Sequence, residues 1–408
     1  MLTPSYLLHA IEPAEEIADS LHQDIMKRII ERIISRFDHG DKYLLTAVDK
    51  WQIETLQEAG FLLEDIQKEL AAATGKMQKE IAEAMEDAGV KTLEYDDAVY
   101  HAAGLNPVPL IQSPKMIAIM QRDFEATMGE WVNFTRISKK AAHKLFVKAC
   151  DTAYHQAITG AISARQAVIE AINVAAEAGV YVEYKDSKGN VIRKDSIETA
   201  TARAVRTGIS QASGKITDAR MEEMNWDIIL VSSHLGARTT EKNDYTNHFW
   251  WQGKFYSKSG KDKRFPPYSE CGFGKVQGIH GANCRHSHGP GDGVNNPFEK
   301  YDSEENRKQY KIQQKQRSME AGIRETKRKT MAWKNAIDAE SDPTKKPLME
   351  KEYQRKAVLL EKQSEAYKEF CEENDLKRRE DRITIAKWDR KQGKAAMEAV
   401  KKHRQEGK

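Results

Sequence analysis

The chain has 408 residues, of which 39% are hydrophobic and 31% charged, with a net charge of +3. That is enough apolar material for two or three cores, while a mean hydropathy of −0.71 suits long solvated helices better than one compact enzyme fold. No run approaches the ~20 apolar residues that span a bilayer, and Met1 to Glu12 lacks the basic and apolar regions of a secretory signal. The four cysteines, Cys150, Cys271, Cys284 and Cys371, are scattered, so no disulfide framework is implied and assembly in a reducing cytoplasm fits.

From Pro13 to Phe37, Ile17, Leu21, Ile25, Ile29, Ile33 and Phe37 recur every four residues, which places them on one stripe of a helix. Pro13 suits a first helical position, and Asp38, His39 and Gly40 supply a stop, Gly40 being able to take a left-handed cap. A second helix carries Leu44, Val48, Trp51 and Leu56 and stops near Gly60. A third runs from about Leu63 to Ala88, with an interruption at Gly75 and a close at Gly89. Gly104 to Pro109 cannot continue a helix, because proline disfavours the helical region for its predecessor. Ser113-Pro114 then restarts one with an N-cap and a first-position proline. Ile117, Met120 and Phe124 are expected to line its buried face. Further helices are expected over Ser138–Thr159 and from Ser163 through Val168 and Ile172 to Gly179.

The period then changes. Val180 to Tyr184, the turn Lys188-Gly189-Asn190 and Val191 to Arg193 read as a β-hairpin. Asp195 and Glu198 approximate a capping box before a helix to about Met224. The run from Asp227 to Ser232 reads as a buried strand. Residues 234–300 are loop-rich. From Ser303 the chain is helical to Ala339, broken at Ser341-Asp342-Pro343 and Pro347, helical again from Leu348 to Asn374, and finally from Arg378 to the end, as a helical hairpin. The expected fold is mainly α, with elongated helical arms flanking a small α+β module. It divides into regions 1–109, 110–179, 180–300 and 301–408. Trp51, Trp131, Trp226, Trp333 and Trp388 sit on expected helices or their ends, as packing residues. Trp250 and Trp251, if on a strand, face opposite sides.

The chemistry concentrates between His234 and Phe298. Ser233-His234-Leu235-Gly236-Ala237-Arg238 is followed by His248-Phe249-Trp250-Trp251-Gln252-Gly253-Lys254-Phe255-Tyr256-Ser257. Cys271-Gly272-Phe273-Gly274 comes next, and Gly278-Ile279-His280-Gly281-Ala282-Asn283-Cys284-Arg285-His286 closes the region. In order and spacing these blocks resemble the phage minor capsid protein 2 family, within the broader Mu-type head morphogenesis group. Phe370 to Arg378, with Arg382, resembles that family's tail. The run His286-Ser287-His288 and the glycines after it depart from the family's more direct exit. The resemblance implies a virion structural protein of few copies near the portal vertex. Its partners would be the portal oligomer, the inner surface of the major capsid protein and packaged double-stranded DNA, with no membrane and no established catalytic activity. It marks His234, Arg238, His248, Trp251, Gln252, Gly253, Tyr256, Gly278, Asn283, Cys284, Arg285 and His286 as motif residues of a structural kind.

Read from their chemistry alone, these residues allow three pictures. In the first, a small β-rich core has its loops fixed by buried hydrogen bonds, with Arg238 and Arg285 holding loop carbonyls or a carboxylate. The second is a zinc site. Cys284 and His286 stand one residue apart, His234 is a third candidate ligand, and His248, Cys271 and His280 are further ones; zinc favours such nitrogen and sulfur sets. The third is a metal-dependent nuclease or a transferase drawing on Asp244, Glu270 or Asp292; no phosphate loop accompanies it. The expectation is a non-enzyme without a bound cofactor. Separately, residues 301–408 hold 29 Lys and Arg against 21 Asp and Glu, a surplus of eight on a body with a deficit of five. That tail suits a polyanion such as DNA, or a helix laced with its own salt bridges.

Overall fold

The computed structural model describes residues 1–37 and 40–406. Its elements in chain order begin with α1 (Pro4–His9), α2 (Glu12–Arg36), α3 (Val48–Ala102), α4 (Pro114–Ile158) and α5 (Ala164–Ala178). A hairpin of β1 (Tyr181–Lys185) and β2 (Val191–Ser196) leads into α6 (Ile197–Glu223) and β3 (Ile228–Val231). The loop-rich stretch holds α7 (His248–Trp251), β4 (Phe255–Ser257) and β5 (His288–Pro290). The chain ends with α8 (Ser303–Ala339), α9 (Lys346–Glu373), α10 (Glu380–Ile383) and α11 (Arg390–Glu406). The protein is mainly α, with two small antiparallel sheets among the described residues.

The main departure from the sequence reading is helix length. The second and third expected helices form one continuous α3, running through Gly60, Gly75 and Gly89. The two helices expected between Ser113 and Thr159 form one α4. A glycine inside a helix costs about 1 kcal/mol against alanine. On α3 the buried stripe of Leu62, Ile66, Leu70, Met77, Ile81 and Met85 continues across Gly75, and its burial outweighs that cost. Trp131, Phe134, Ala142 and Phe146 do the same for α4. Pro13 is the second residue of α2, and the expected stop at Asp38 and His39 lies outside the described residues. Ser163 and Gln166 form a full capping box on α5, which ends at Gly179.

Two compact units emerge, each assembled from three separate stretches of chain. They do not follow the four consecutive regions expected, because sequence breaks mark the ends of elements, whereas a unit is defined by which faces bury one another. Unit 1 comprises Met1–Glu15, Gly75–Asn133 and Thr199–Gln314. It contains the three-stranded sheet in order β4-β3-β5. β3 in the centre pairs Ile229 with Tyr256 on one side and with Pro290 on the other. Its core joins Ile229 and Val231 to Tyr100, Met221, Trp251, Tyr256, Tyr268, Cys271, Ile279 and Cys284. A second cluster packs Leu93, Met116, Ile216 and Ala219 together.

Unit 2 comprises Glu16–Thr74, Phe134–Glu198 and Lys315–Lys408. The β1–β2 hairpin belongs here, apart from the sheet with which the sequence reading grouped it. Trp51 stacks flat on Tyr154 with centroids 4.3 Å apart, and the Arg36 guanidinium lies 3.6 Å from the centroid of the Trp51 ring. In the C-terminal hairpin, Ile323 of α8 meets Leu360, Tyr367 and Cys371 of α9 and Ile383 of α10. The single final helix expected from Arg378 is instead α10, a break and α11. Ile383 and Ile385 are buried through the break, Lys387 takes a left-handed φ of 64°, and Ala386 N donates to Asp19. Burying both isoleucines there outweighs the helical hydrogen bonds given up.

Candidate functional site

The motif residues converge in unit 1, at the end of β3. Beyond that strand, Ser232 N donates to Ser287 O and Ser287 N returns to Ser232 Oγ, so the first and last motif blocks are stitched side by side. Asn306, fully buried on α8, locks the Ser-His-Leu-Gly-Ala turn. Its Oδ1 accepts from Gly236 N at 2.8 Å and Ala237 N at 2.9 Å, and its Nδ2 donates to Ala237 O. In sequence, Asn306 is only an early residue of the helix that opens at Ser303. An amide three residues into a helix carries no local sign that it caps a loop 70 residues earlier.

Arg238 spans the closing loop, donating to Ala282 O at 2.9 Å and Gln277 O at 3.3 Å. Arg285 donates to Gly236 O and to Gln313 Oε1. Trp251 is fully buried; its indole N–H donates to Tyr245 O, and its own carbonyl accepts the Tyr256 hydroxyl at 2.7 Å. Trp250 and Trp251 lie on the single turn of α7 and not on a strand, with Trp251 in the core and Trp250 packed at its edge. Gly253 has a φ of +63°, and Asn283 takes the left-handed region at 61°. A side chain at Gly278 would overlap the Gly272 carbonyl, so that position admits only glycine.

Within this frame His248, Cys284 and His286 are buried, and one potential metal-ligand atom from each lies within 4.8 Å of the others. His248 Nε2 is 2.8 Å from Gln277 O, and His286 Nε2 is 2.9 Å from Gln252 Oε1. A carbonyl oxygen only accepts, and the same Gln252 oxygen also takes the His234 N–H, so both imidazoles carry their proton on Nε2. Each Nδ1 therefore keeps its lone pair. His286 Nδ1 lies 3.7 Å from Cys284 Sγ. Burial, reinforced by Arg238, lowers the His248 pKa to about 3. Burial, with His234, His248 and Arg285 nearby, holds His286 well below its ordinary value, and burial pushes the Cys284 thiol up. Of the three ligands nominated from sequence, Cys284 and His286 stand in this group. His234 stacks on the His286 ring with centroids 4.4 Å apart, and its Nδ1 lies 3.2 Å from Leu235 O.

His280 belongs to a second buried network that the sequence reading missed. Its ring meets Ser210 Oγ and His288 Nδ1, each at 2.8 Å, and His288 Nε2 faces Asp218 at 3.6 Å. Tyr268 OH lies 2.9 Å from His288 Nδ1. Burial works against the Asp218 carboxylate, but His288 and Lys258 hold it below its usual pKa. The sequence carries a trace of this in Ser210, Gly214 and Asp218, which recur every four residues on α6; in the structure a Cβ at Gly214 would lie 2.9 Å from the His280 ring. Cys271 packs in the neighbouring core. Asp244 and Asp292 accept the backbone N–H groups of Thr246 and of Val294 and Asn295, as turn residues do.

No curated protein and no solved structure matches the chain. A family model described as Phage minor capsid protein 2 matches residues 2–372, which takes in all of unit 1 but Met1, with the motif blocks between Ser233 and His286, and unit 2 as far as the C-terminal end of α9. The protein therefore belongs to the phage minor capsid protein 2 family.

Proposed function

We propose that this minor capsid protein works at the portal vertex of the virion, docking on the portal oligomer through apolar helical surface and assisting head assembly or DNA delivery. The observation that carries this reading is a concave apolar surface on unit 1. The C-terminal stretch of α3, the turn before α4 and α4 itself flank an open groove of about 560 Å³ lined by Met85, Leu110, Met120 and Phe124. Val90, Val108, Ile111 and Ile117 stand exposed at or beside it, Ile111 at 81%. The face of Ile117, Met120 and Phe124 expected to be buried thus lines an open groove, and Met116 is the buried residue there. Contiguous exposed apolar surface of this kind serves contact with other proteins, and a partner helix laid into such a groove is a common mode. No helix among the described residues is long and apolar enough to cross a membrane.

The inner capsid wall and packaged DNA are secondary contacts. Much of the C-terminal positive charge is already engaged inside unit 2: Lys329 and Lys356 on Glu177, Lys387 on Asp24, and Arg404 on Glu361. The protein acts by docking and not by turnover, since its histidine and cysteine cluster is buried in the core. The test is co-expression with the portal protein followed by sedimentation. The wild-type chain co-sediments and is found in purified virions. Ile111→Asp with Ile117→Asp loses co-sedimentation while its thermal midpoint stays within a few degrees. A wild-type chain that never co-sediments and is missing from virions overturns the reading.

A further inference from the structure

We propose that His248, Cys284 and His286 form a binding site for a divalent transition-metal ion, zinc in the first instance, held through the two Nδ1 atoms and Sγ. Among the described residues this is the one group of three or more His, Cys, Asp or Glu whose ligand atoms all come this close to one another. Metal–ligand bonds of ~2.0–2.3 Å place two ligands of a tetrahedral zinc about 3.5 Å apart. The Cys284 Sγ to His286 Nδ1 distance of 3.7 Å is already of that size. A ring nitrogen of His248 lies within 4.8 Å of the other two ligand atoms, so a rotation of this side chain that closes about 1 Å completes the set.

Both imidazoles are oriented as ligands from behind. A metal-bound histidine characteristically donates its other ring N–H to a carbonyl or carboxylate, which fixes the tautomer and aims the lone pair. His248 does this to Gln277 O and His286 to Gln252 Oε1. The oxygen that holds His286 is itself held by the His234 backbone N–H at 3.1 Å. The sulfur is prepared as well, because the His286 backbone N–H points at Cys284 Sγ at 3.4 Å, a contact that favours a thiolate. The loop presenting the sulfur has little freedom. Asn283 is left-handed, side chains at Gly278 and Gly281 would overlap the backbone at Gly272 and Val276, and Arg238 ties down Gln277 and Ala282. Two neutral imidazoles and one thiolate are a donor set that zinc and cobalt favour over calcium or magnesium. Three protein ligands leave the fourth position to water.

The inference stands apart from the portal reading and is tested on the isolated full-length chain. Cobalt(II) is titrated into metal-free protein while the sulfur-to-cobalt charge-transfer band in the near ultraviolet is followed. The expected result is a band saturating at one cobalt per chain and bleached by zinc. It is absent from Cys284→Ser and retained by Cys371→Ser, whose sulfur lies in unit 2. Gln252→Leu weakens binding by about 10–100-fold through loss of the outer hydrogen bond. No thiolate band in the wild-type chain, or a band that persists in Cys284→Ser, overturns the inference and leaves a thiol–imidazole contact in a packed core.

Discussion

At the scale of single residues, the chain repeatedly buries an ionisable side chain and fixes its charge state through its neighbours. His22 in unit 2 is the clearest case outside the motif region. It is buried, faces Glu198 at 3.6 Å, and has a pKa lowered to about 3, first by burial and then by Arg328, against the opposing influence of Asp19. The folded chain thus binds this proton less tightly than the unfolded chain, so acid favours unfolding. The contribution is fully present above about pH 6.5 and is lost as the pH falls toward 3, at roughly 1.4 kcal/mol per pH unit at the steepest. His248 and His286 act in the same direction. Denaturant midpoints measured from pH 7.5 to 4.5 are expected to fall steadily. The fall should be shallower in His22→Gln; equal slopes in the two proteins would show that His22 is not a source of acid sensitivity.

At the scale of elements, helical glycines divide by what surrounds them. Gly60 and Gly75 on α3 have open space where a Cβ would go, so Gly60→Ala and Gly75→Ala each raise stability by about 0.5–1 kcal/mol. Gly208 on α6 is the opposite. A Cβ there overlaps the Thr127 hydroxyl of α4 and lies 3.1 Å from Met85 of α3, so three helices of unit 1 meet at this glycine. Gly208→Ala costs about 1–3 kcal/mol by overpacking, and adding Thr127→Ala recovers part of the loss. Chemical denaturation of the four variants reads all of these signs together. Reading Gly60 as a stop and Gly75 as an interruption applied glycine's intrinsic propensity, which the continuous buried stripe of α3 overrides.

At the scale of the whole molecule, the C-terminal helices depend on residues far away in sequence. Arg328 of α8 pairs with Asp19 at 3.1 Å and with Glu198, and Lys329 reaches Glu177 at 2.9 Å. Both compact units are closed by such distant stretches. A fragment of residues 301–408 expressed alone therefore leaves Arg328 without its carboxylates and the apolar faces of α8 and α9 uncovered. Circular dichroism of that fragment is expected to show a broad, non-cooperative melt. A sharp transition near the midpoint of the full chain would show that the tail is a domain in its own right.

The sequence by itself determined the mainly α class, the boundaries of α5 and α8, the β1–β2 hairpin, the buried β3 and the family. These rest on local periodicity, caps and motif order, which a chain carries wherever it folds. Tertiary structure alone decided that α3 and α4 run unbroken, that the hairpin and the three-stranded sheet belong to different units, and that Asn306 caps the Gly236–Ala237 turn. It also decided that His248, and not His234, joins Cys284 and His286, while His280 pairs with His288. Each of these depends on which surfaces become buried against one another, and that burial is set by contacts between residues tens to hundreds of positions apart.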